Sequence, residues 1–156
     1  MYNKFCKKQL WECSRDLVSV AMGRIPAETV IKNAKLINVC TKEILENTDV
    51  AIHSGRIALV GDASHCIGEG TKVIDAEGMY IAPGLLDGHI HIESSMLSAG
   101  EYAKSVIPHG TTGIYYDPHE ICNVMGFKGV ELMIKDAERT PEGWIFDHKK
   151  YVDFIR

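Results

Sequence analysis

The sequence of 156 residues has no long hydrophobic run and no excess of positive charge. No stretch approaches the roughly 18 consecutive apolar residues of a membrane span, so we expect no membrane partner. Lysine and arginine number 17 against 21 acidic residues, and the net charge of −4 gives no basic face for phosphate binding. We therefore expect no nucleic-acid partner. Charged residues interrupt the first 16 positions, which is not the pattern of a signal peptide.

Cysteines are few and scattered. There are five of them, and no Cys-x-x-Cys pair occurs. A disulfide framework or a zinc ribbon is therefore not expected, and the pattern favours a reducing, cytoplasmic location. An apolar content of 46% and a charged content of 24% are those of an ordinary globular domain with a real core.

The first half of the chain predicts one amphipathic helix followed by short strands. Residues 4–22 repeat apolar side chains at three- and four-residue steps, the period of a helix. These side chains are Leu10, Cys13, Leu17 and Val20. From residue 29 to 62 the period falls to two, and Ser54-Gly55 predicts a two-residue hairpin turn. Two more short strands are expected at 73–75 and 79–81.

After Pro83-Gly84 strands and helices alternate. A buried strand opens at Leu85, and "TTGIYY" and "GWIF" predict a second and a third strand. Ser98 and Glu101 form a capping box that opens a helix through about residue 107, and residues 127–139 predict another helix. This order is typical of a parallel α/β sheet or barrel. The expected segments are a helix (1–26), a small β-rich domain (27–82), a partial barrel (83–141) and a tail (142–156).

Two histidines follow the first of these later strands. His89 and His91 are two residues apart on a strand end, so their side chains share one face. Two imidazoles on one face can bind one divalent metal such as zinc, iron, nickel or copper. The alternative is a pair of core or surface histidines, because this spacing also arises by chance. The position after a buried strand, where barrel loops build active sites, favours the metal.

A second polar cluster, Asp117-Pro118-His119-Glu120, follows the next predicted strand. On a barrel it would lie at the same rim as the histidine pair. Its three side chains can bind a metal or move a proton. The alternative is an Asp-Pro turn that starts a helix, with Glu120 at the helix N-terminus.

Polar residues also follow the histidine pair directly. Glu93 continues the alternation of His89 and His91 and could be a ligand, a partner that orients a histidine, or a substrate contact. A polar loop without function is the alternative. The remaining histidines are expected to be solvated (His53, His65) or structural (His109), and His148 is left unassigned.

The motifs "PGLLDGHIHIESSM" and "VIPHGTTGIYYDPHEICNVMG" resemble those of the adenine deaminase family within the amidohydrolase superfamily. The resemblance runs from about Leu17 to Pro141. It implies an α/β fold: a small β-sandwich-like module followed by the first β/α units of an incomplete (β/α)8 metal-dependent hydrolase barrel. It also implies hydrolysis of adenine to hypoxanthine and ammonia, with manganese as the expected metal and iron or zinc as alternatives.

The resemblance also implies roles for individual residues. His89 and His91 match the metal pair, and the expected catalytic residues are Asp117, Glu120 and Glu93. The expected substrate contacts are Ser94 and His119.

Family members are several times longer, so the chain is interpreted as an amino-terminal fragment with a divergent tail, inactive alone. It could form a homo-oligomer or pair with a complementing chain. The alternatives are an amidohydrolase of another cyclic amide or aminopurine, and a non-catalytic remnant or interaction module.

Overall fold

The computed structural model describes residues 8–140 and the backbone of residues 145–146. The chain divides into two compact units, with the boundary between Pro83 and Gly84. The helices are α1 (Leu10–Ala21), α2 (Ala99–Val106), α3 (His119–Met125) and α4 (Phe127–Ala137). The strands are β1 (Thr29–Asn38), β2 (Glu43–His53), β3 (Arg56–Gly61), β4 (Lys72–Asp75), β5 (Tyr80–Ile81), β6 (Leu85–Ile90), β7 (Thr111–Tyr116) and β8 (Ile145–Phe146).

The first unit is one mixed sheet covered by a helix. Its strand order is β3-β2-β1-β4, and β5 also pairs with β1. Neighbouring strands β1, β2 and β3 are antiparallel, whereas β4 and β5 run parallel to β1. Helix α1 contacts β2 and β3. The apolar stripe of the helix faces the sheet, and the core of this unit consists of buried small and branched side chains. They include Val20, Ala27, Val30, Ala51 and Cys66.

Helix α1 is shorter than its sequence pattern predicts. It begins at Leu10, where the Gln9 N–H donates to the Glu12 carboxylate at 2.6 Å and so satisfies one amide of the first turn. Cys13 and Val20 are fully buried as predicted, but Leu10 is 53% exposed. The predicted apolar face is therefore wrong at its first position, and residues 1–7 lie outside the described residues.

The predicted hairpin turn is confirmed. Ser54 and Gly55 have φ values of 52° and 67°, and two successive positive φ angles define the type I′ turn that matches strand twist. The two short strands predicted downstream coincide with β4 and β5.

The second unit is a parallel sheet of order β6-β7-β8. Helix α2 lies between β6 and β7 in the chain, and α3 and α4 lie between β7 and β8. This is the arrangement of the first units of a β/α barrel, as predicted. The core between sheet and helices is built from Ile92, Ala99, Ile114, Tyr116, Met133 and Ala137. None of the helices in the described residues is long and apolar enough to span a membrane.

Two helices of this unit begin where the sequence pattern places them, but their surroundings differ from it. Ser98 is the residue before α2, as predicted, but its side chain makes no capping bond to the helix. Asp136 of α4 instead accepts the Gly100 N–H at 2.7 Å. A separate helix, α3, precedes α4, and Gly126 divides them with φ 63° and ψ −154°, a conformation that glycine alone adopts readily.

Candidate metal centre

The two histidines of the H-x-H motif converge at the end of β6. Their Nε2 atoms lie 3.1 Å apart, and the rings meet edge to face. Metal–nitrogen bonds of about 2.1 Å, at angles between octahedral and tetrahedral, separate two ligand atoms by about 3.0–3.4 Å. The spacing of His89 and His91 is therefore that of two ligands of one ion.

The tautomer of His91 is fixed by its other ring nitrogen. His91 Nδ1 lies 3.0 Å from the backbone oxygen of Asp117. Because a carbonyl oxygen only accepts, Nδ1 donates, and the neutral ring carries its lone pair on Nε2. That lone pair faces His89. A histidine held in this way is the usual arrangement around a bound metal.

Asp117 supplies a third donor. Ligand atoms of His89, His91 and Asp117 all lie within 4.8 Å of one another, and no other such group occurs within residues 8–140. The Asp117 side chain is only 14% exposed, and its Oδ2 lies 3.2 Å from His119 Nδ1. The structure thus brings this predicted catalytic residue next to the histidine pair.

The donor set fits a divalent transition metal. Two imidazole nitrogens and one carboxylate oxygen suit manganese, iron or zinc. Three donors also leave coordination positions for water and for further ligands.

His119 and Glu120 lie at the start of α3. The His119 ring packs edgewise on the His91 ring, with centroids 4.5 Å apart, and its side chain is 51% exposed. Glu120 Oε1 accepts a hydrogen bond from Ser94 Oγ at 2.7 Å. Of the two predicted substrate contacts, His119 therefore lies against His91 and Asp117, and Ser94 lies against Glu120.

Glu93 has a different environment. Its Oε1 accepts the Ile121 N–H at 3.1 Å, and its Oε2 is buried. Burial, followed by the nearby Glu93 carboxylate, raises the pKa of Tyr116 well above its usual value. Tyr116 is 2% exposed and was not predicted to take part in the site. The available signal was an aromatic residue with a polar tip directly before Asp117.

The other described histidines lie outside this cluster. His65 is exposed and its Nε2 lies 2.9 Å from the Ala21 carbonyl oxygen. His53 is half-buried, not solvated as predicted, because it stands beside the type I′ turn opposite Arg56. His109 ends a short 3₁₀ turn before β7. His148 lies outside the described residues.

Comparison with known protein sequences finds similarity to amidohydrolases and adenine deaminases. The sequence profile of the Amidohydrolase family matches residues 80–150. Adenine deaminase of Clostridium botulinum strain ATCC 19397 is 70% identical over 141 residues, which cover 90% of this chain and 24% of that protein. Adenine deaminase of Ruegeria sp. strain TM1040 is 59% identical over 126 residues, 80% of this chain and 21% of that protein. The chain thus spans less than a third of the length of these relatives.

Solved structures agree at the level of the fold. Molinate hydrolase superposes with a TM-score of 0.53 at 20% identity, covering 78% of this chain and 30% of that one. A protein described as an amidohydrolase has a TM-score of 0.50 at 16% identity, covering 76% of this chain and 31% of that one. The predicted resemblance is confirmed: over the matched residues the chain is homologous to adenine deaminases.

Proposed function

We propose that the chain carries part of the active site of a metal-dependent hydrolase that converts adenine to hypoxanthine and ammonia. The convergence of His89, His91 and Asp117 on one position is the observation that carries this proposal. The 70% identity to the Clostridium botulinum protein supports adenine as the substrate.

His89 and His91 are the proposed metal ligands through Nε2, and Asp117 contributes a carboxylate oxygen. When bound, a divalent cation supplies an activated water for hydrolysis near neutral pH. Manganese is our first choice, with iron or zinc as alternatives, because each accepts mixed nitrogen and oxygen donors. The backbone oxygen of Asp117 keeps His91 in the tautomer that can bind.

Glu120 is the proposed proton carrier to the departing ammonia. General acid–base catalysis needs a carboxyl group within hydrogen-bond reach of the reacting atoms, and Glu120 lies beside the metal donors on α3. Ser94 fixes its orientation through the 2.7 Å hydrogen bond. The half-exposed His119 ring is proposed to bind a ring nitrogen of adenine, since imidazole can donate or accept.

We expect the 156-residue chain alone to hold metal weakly and to turn over no adenine. Three donors from two adjacent strand ends form an open site, and such sites bind more weakly than complete ones. A second copy or a complementing chain would have to supply the remaining groups.

The cysteines of the described part are free thiols, which supports a reducing cytoplasm; they are Cys13, Cys40, Cys66 and Cys122.

A chimera tests the proposal. The matching 141 residues of the Clostridium botulinum adenine deaminase are replaced by those of this chain, and hypoxanthine formation from adenine is measured with manganese. We expect the chimera to be active and the same chimera carrying His89→Ala to lose activity at least 100-fold, on the order expected for loss of a metal ligand.

His109→Ala is the matched control, since this histidine is exposed and lies outside the donor group. A folded chimera that keeps its activity with His89→Ala would contradict the proposal. A chimera that acts on another aminopurine but not on adenine would contradict the substrate.

A further inference from the structure

Two chain segments meet beside the metal donors. One is the turn after β6, residues 91–95, and the other is the start of α3, residues 117–121. Asp117 makes two hydrogen bonds here: its N–H donates to the carbonyl of Ile90, the last residue of β6, at 3.0 Å, and its own carbonyl accepts from His91 Nδ1 at 3.0 Å. Two more lie further along, from Ile121 N–H to Glu93 Oε1 at 3.1 Å and from Ser94 Oγ to Glu120 Oε1 at 2.7 Å.

We propose that Glu93 is a positioning residue: its carboxylate fastens the start of α3 to the turn after β6 and so places Asp117 and His119 against the histidine pair. This inference rests on the proposed metal site and assigns Glu93 a role other than proton transfer.

The helix itself leaves the Ile121 amide without an acceptor. Ile121 is the third residue of α3, and the first four N–H groups of a helix have no partner inside it. Pro118, the residue before α3, makes no side-chain capping bond. The Glu93 carboxylate, from a segment 28 residues earlier, supplies the missing acceptor.

Glu93 also reaches the other side of Asp117. Tyr116, the last residue of β7 and 2% exposed, lies near the same carboxylate: burial, followed by the Glu93 carboxylate, raises the pKa of Tyr116. Glu93 therefore contacts the chain just before and just after the Asp117–Glu120 cluster. A displacement of either contact moves the Asp117 side chain relative to His91.

A carboxylate held in this way is poorly placed for proton transfer. Its Oε2 is buried, and its Oε1 is occupied by a backbone amide of α3. Glu120, by contrast, accepts a hydrogen bond from the Ser94 hydroxyl and lies half-buried in the first turn of α3.

Substitutions at Glu93 test the inference in the 156-residue chain. Glu93→Gln keeps an oxygen acceptor for the Ile121 amide, and Glu93→Ala removes it. Glu101→Ala is the control, an exposed carboxylate of α2 paired with Lys104. Two quantities are measured for each variant: hydrogen exchange at the Ile121 amide, and the affinity for Co²⁺ from its visible absorption.

We expect Glu93→Ala to weaken Co²⁺ binding by about 10- to 100-fold, the usual effect of losing a partner that orients a metal ligand. Exchange at Ile121 should accelerate by about 10-fold or more. Glu93→Gln should keep both properties within about threefold of the unsubstituted chain. If Glu93→Ala does not fold, Glu93→Gln still tests the inference against the alternative that Glu93 is itself a metal ligand.

Loss of Co²⁺ affinity in Glu93→Gln equal to the loss of a histidine ligand would overturn the inference, since it would make Glu93 a ligand. An Ile121 amide that exchanges equally in all variants would also overturn it. If the unsubstituted chain binds no Co²⁺ but the exchange results hold, the proposed metal site fails while the role of Glu93 in placing α3 stands.

Discussion

Removing the carboxylate of Asp136 should loosen helix α2. This carboxylate of α4 accepts the Gly100 N–H at 2.7 Å and a hydrogen bond from the Ser98 side chain, and so satisfies the start of α2 from another helix. A hydrogen bond to a charged group contributes about 1.5–3 kcal/mol, and a lost helix cap costs about 1 kcal/mol. We therefore expect Asp136→Ala to lower the free energy of unfolding by about 2 kcal/mol at pH 7 and Asp136→Asn by about 1 kcal/mol.

The pH dependence of this effect has a definite sign. The hydrogen bond from Ser98 and then that from the Gly100 amide lower the pKa of Asp136 in the folded protein. A carboxyl group with a lowered folded pKa stabilises the protein above its unfolded pKa of about 3.9 and loses this stabilisation as the pH falls through the folded value. The difference in unfolding free energy between the unsubstituted chain and Asp136→Asn should therefore be largest above about pH 5 and should vanish toward pH 2.

The assay is urea denaturation by circular dichroism across this pH range, with hydrogen exchange of the α2 amides at pH 7. Opening of α2 should become about 30-fold more frequent in Asp136→Ala, which corresponds to about 2 kcal/mol. Glu138→Gln, an exposed carboxylate two residues further along the chain, is the control. Equal stability of Asp136→Asn and the unsubstituted chain at pH 7, or a difference that persists unchanged at low pH, would refute the reasoning.

Two further substitutions test the packing of each unit. Gly129→Ala should destabilise the second unit by about 1 kcal/mol and weaken Co²⁺ binding. A Cβ at this position would lie 2.8 Å from the Ile121 carbonyl oxygen, and the resulting overpacking outweighs the gain in helix propensity. Lys128→Ala is its exposed control, and an increase in melting temperature with Gly129→Ala would contradict the prediction. Asp49→Ala should cost the first unit about 2–4 kcal/mol, because this buried carboxylate accepts the amides of Asn33 and Ala63 at 3.0 and 3.2 Å. Thermal denaturation measures this loss of stability, with Glu69→Ala as the exposed control. Equal stability of the two variants would show that the amides find other acceptors.

The parts of the structure that follow from local pattern could be predicted from the sequence. The turn at Ser54-Gly55 needs two positive φ angles, which short polar residues and glycine supply, so the dipeptide was sufficient. The histidine pair shares a face because strand side chains alternate, and its proximity to Asp117 follows from the parallel pairing of β6 and β7.

Features that depend on distant partners could not be predicted in this way. The Ser98-x-x-Glu101 pattern predicted a local cap, whereas the acceptor for Gly100 comes from Asp136, 36 residues away. The same holds for Glu93, whose alternation with His89 and His91 suggested a ligand or catalytic group. Its hydrogen bond reaches α3, a helix that the sequence pattern indicated only under the alternative interpretation of the Asp117-Pro118 turn. Local sequence shows which groups need partners but not which distant group is available.

The proposed function depends most directly on His89 and His91 binding the same metal ion. Equilibrium dialysis of the purified chain against Mn²⁺ or Co²⁺, with metal analysis of the protein, measures its stoichiometry and affinity. We predict one ion per chain, at least 10-fold weaker binding in His89→Ala and in His91→Ala, and unchanged binding in His109→Ala. Binding that persists undiminished without His91 would contradict the assignment of this cluster as the metal centre.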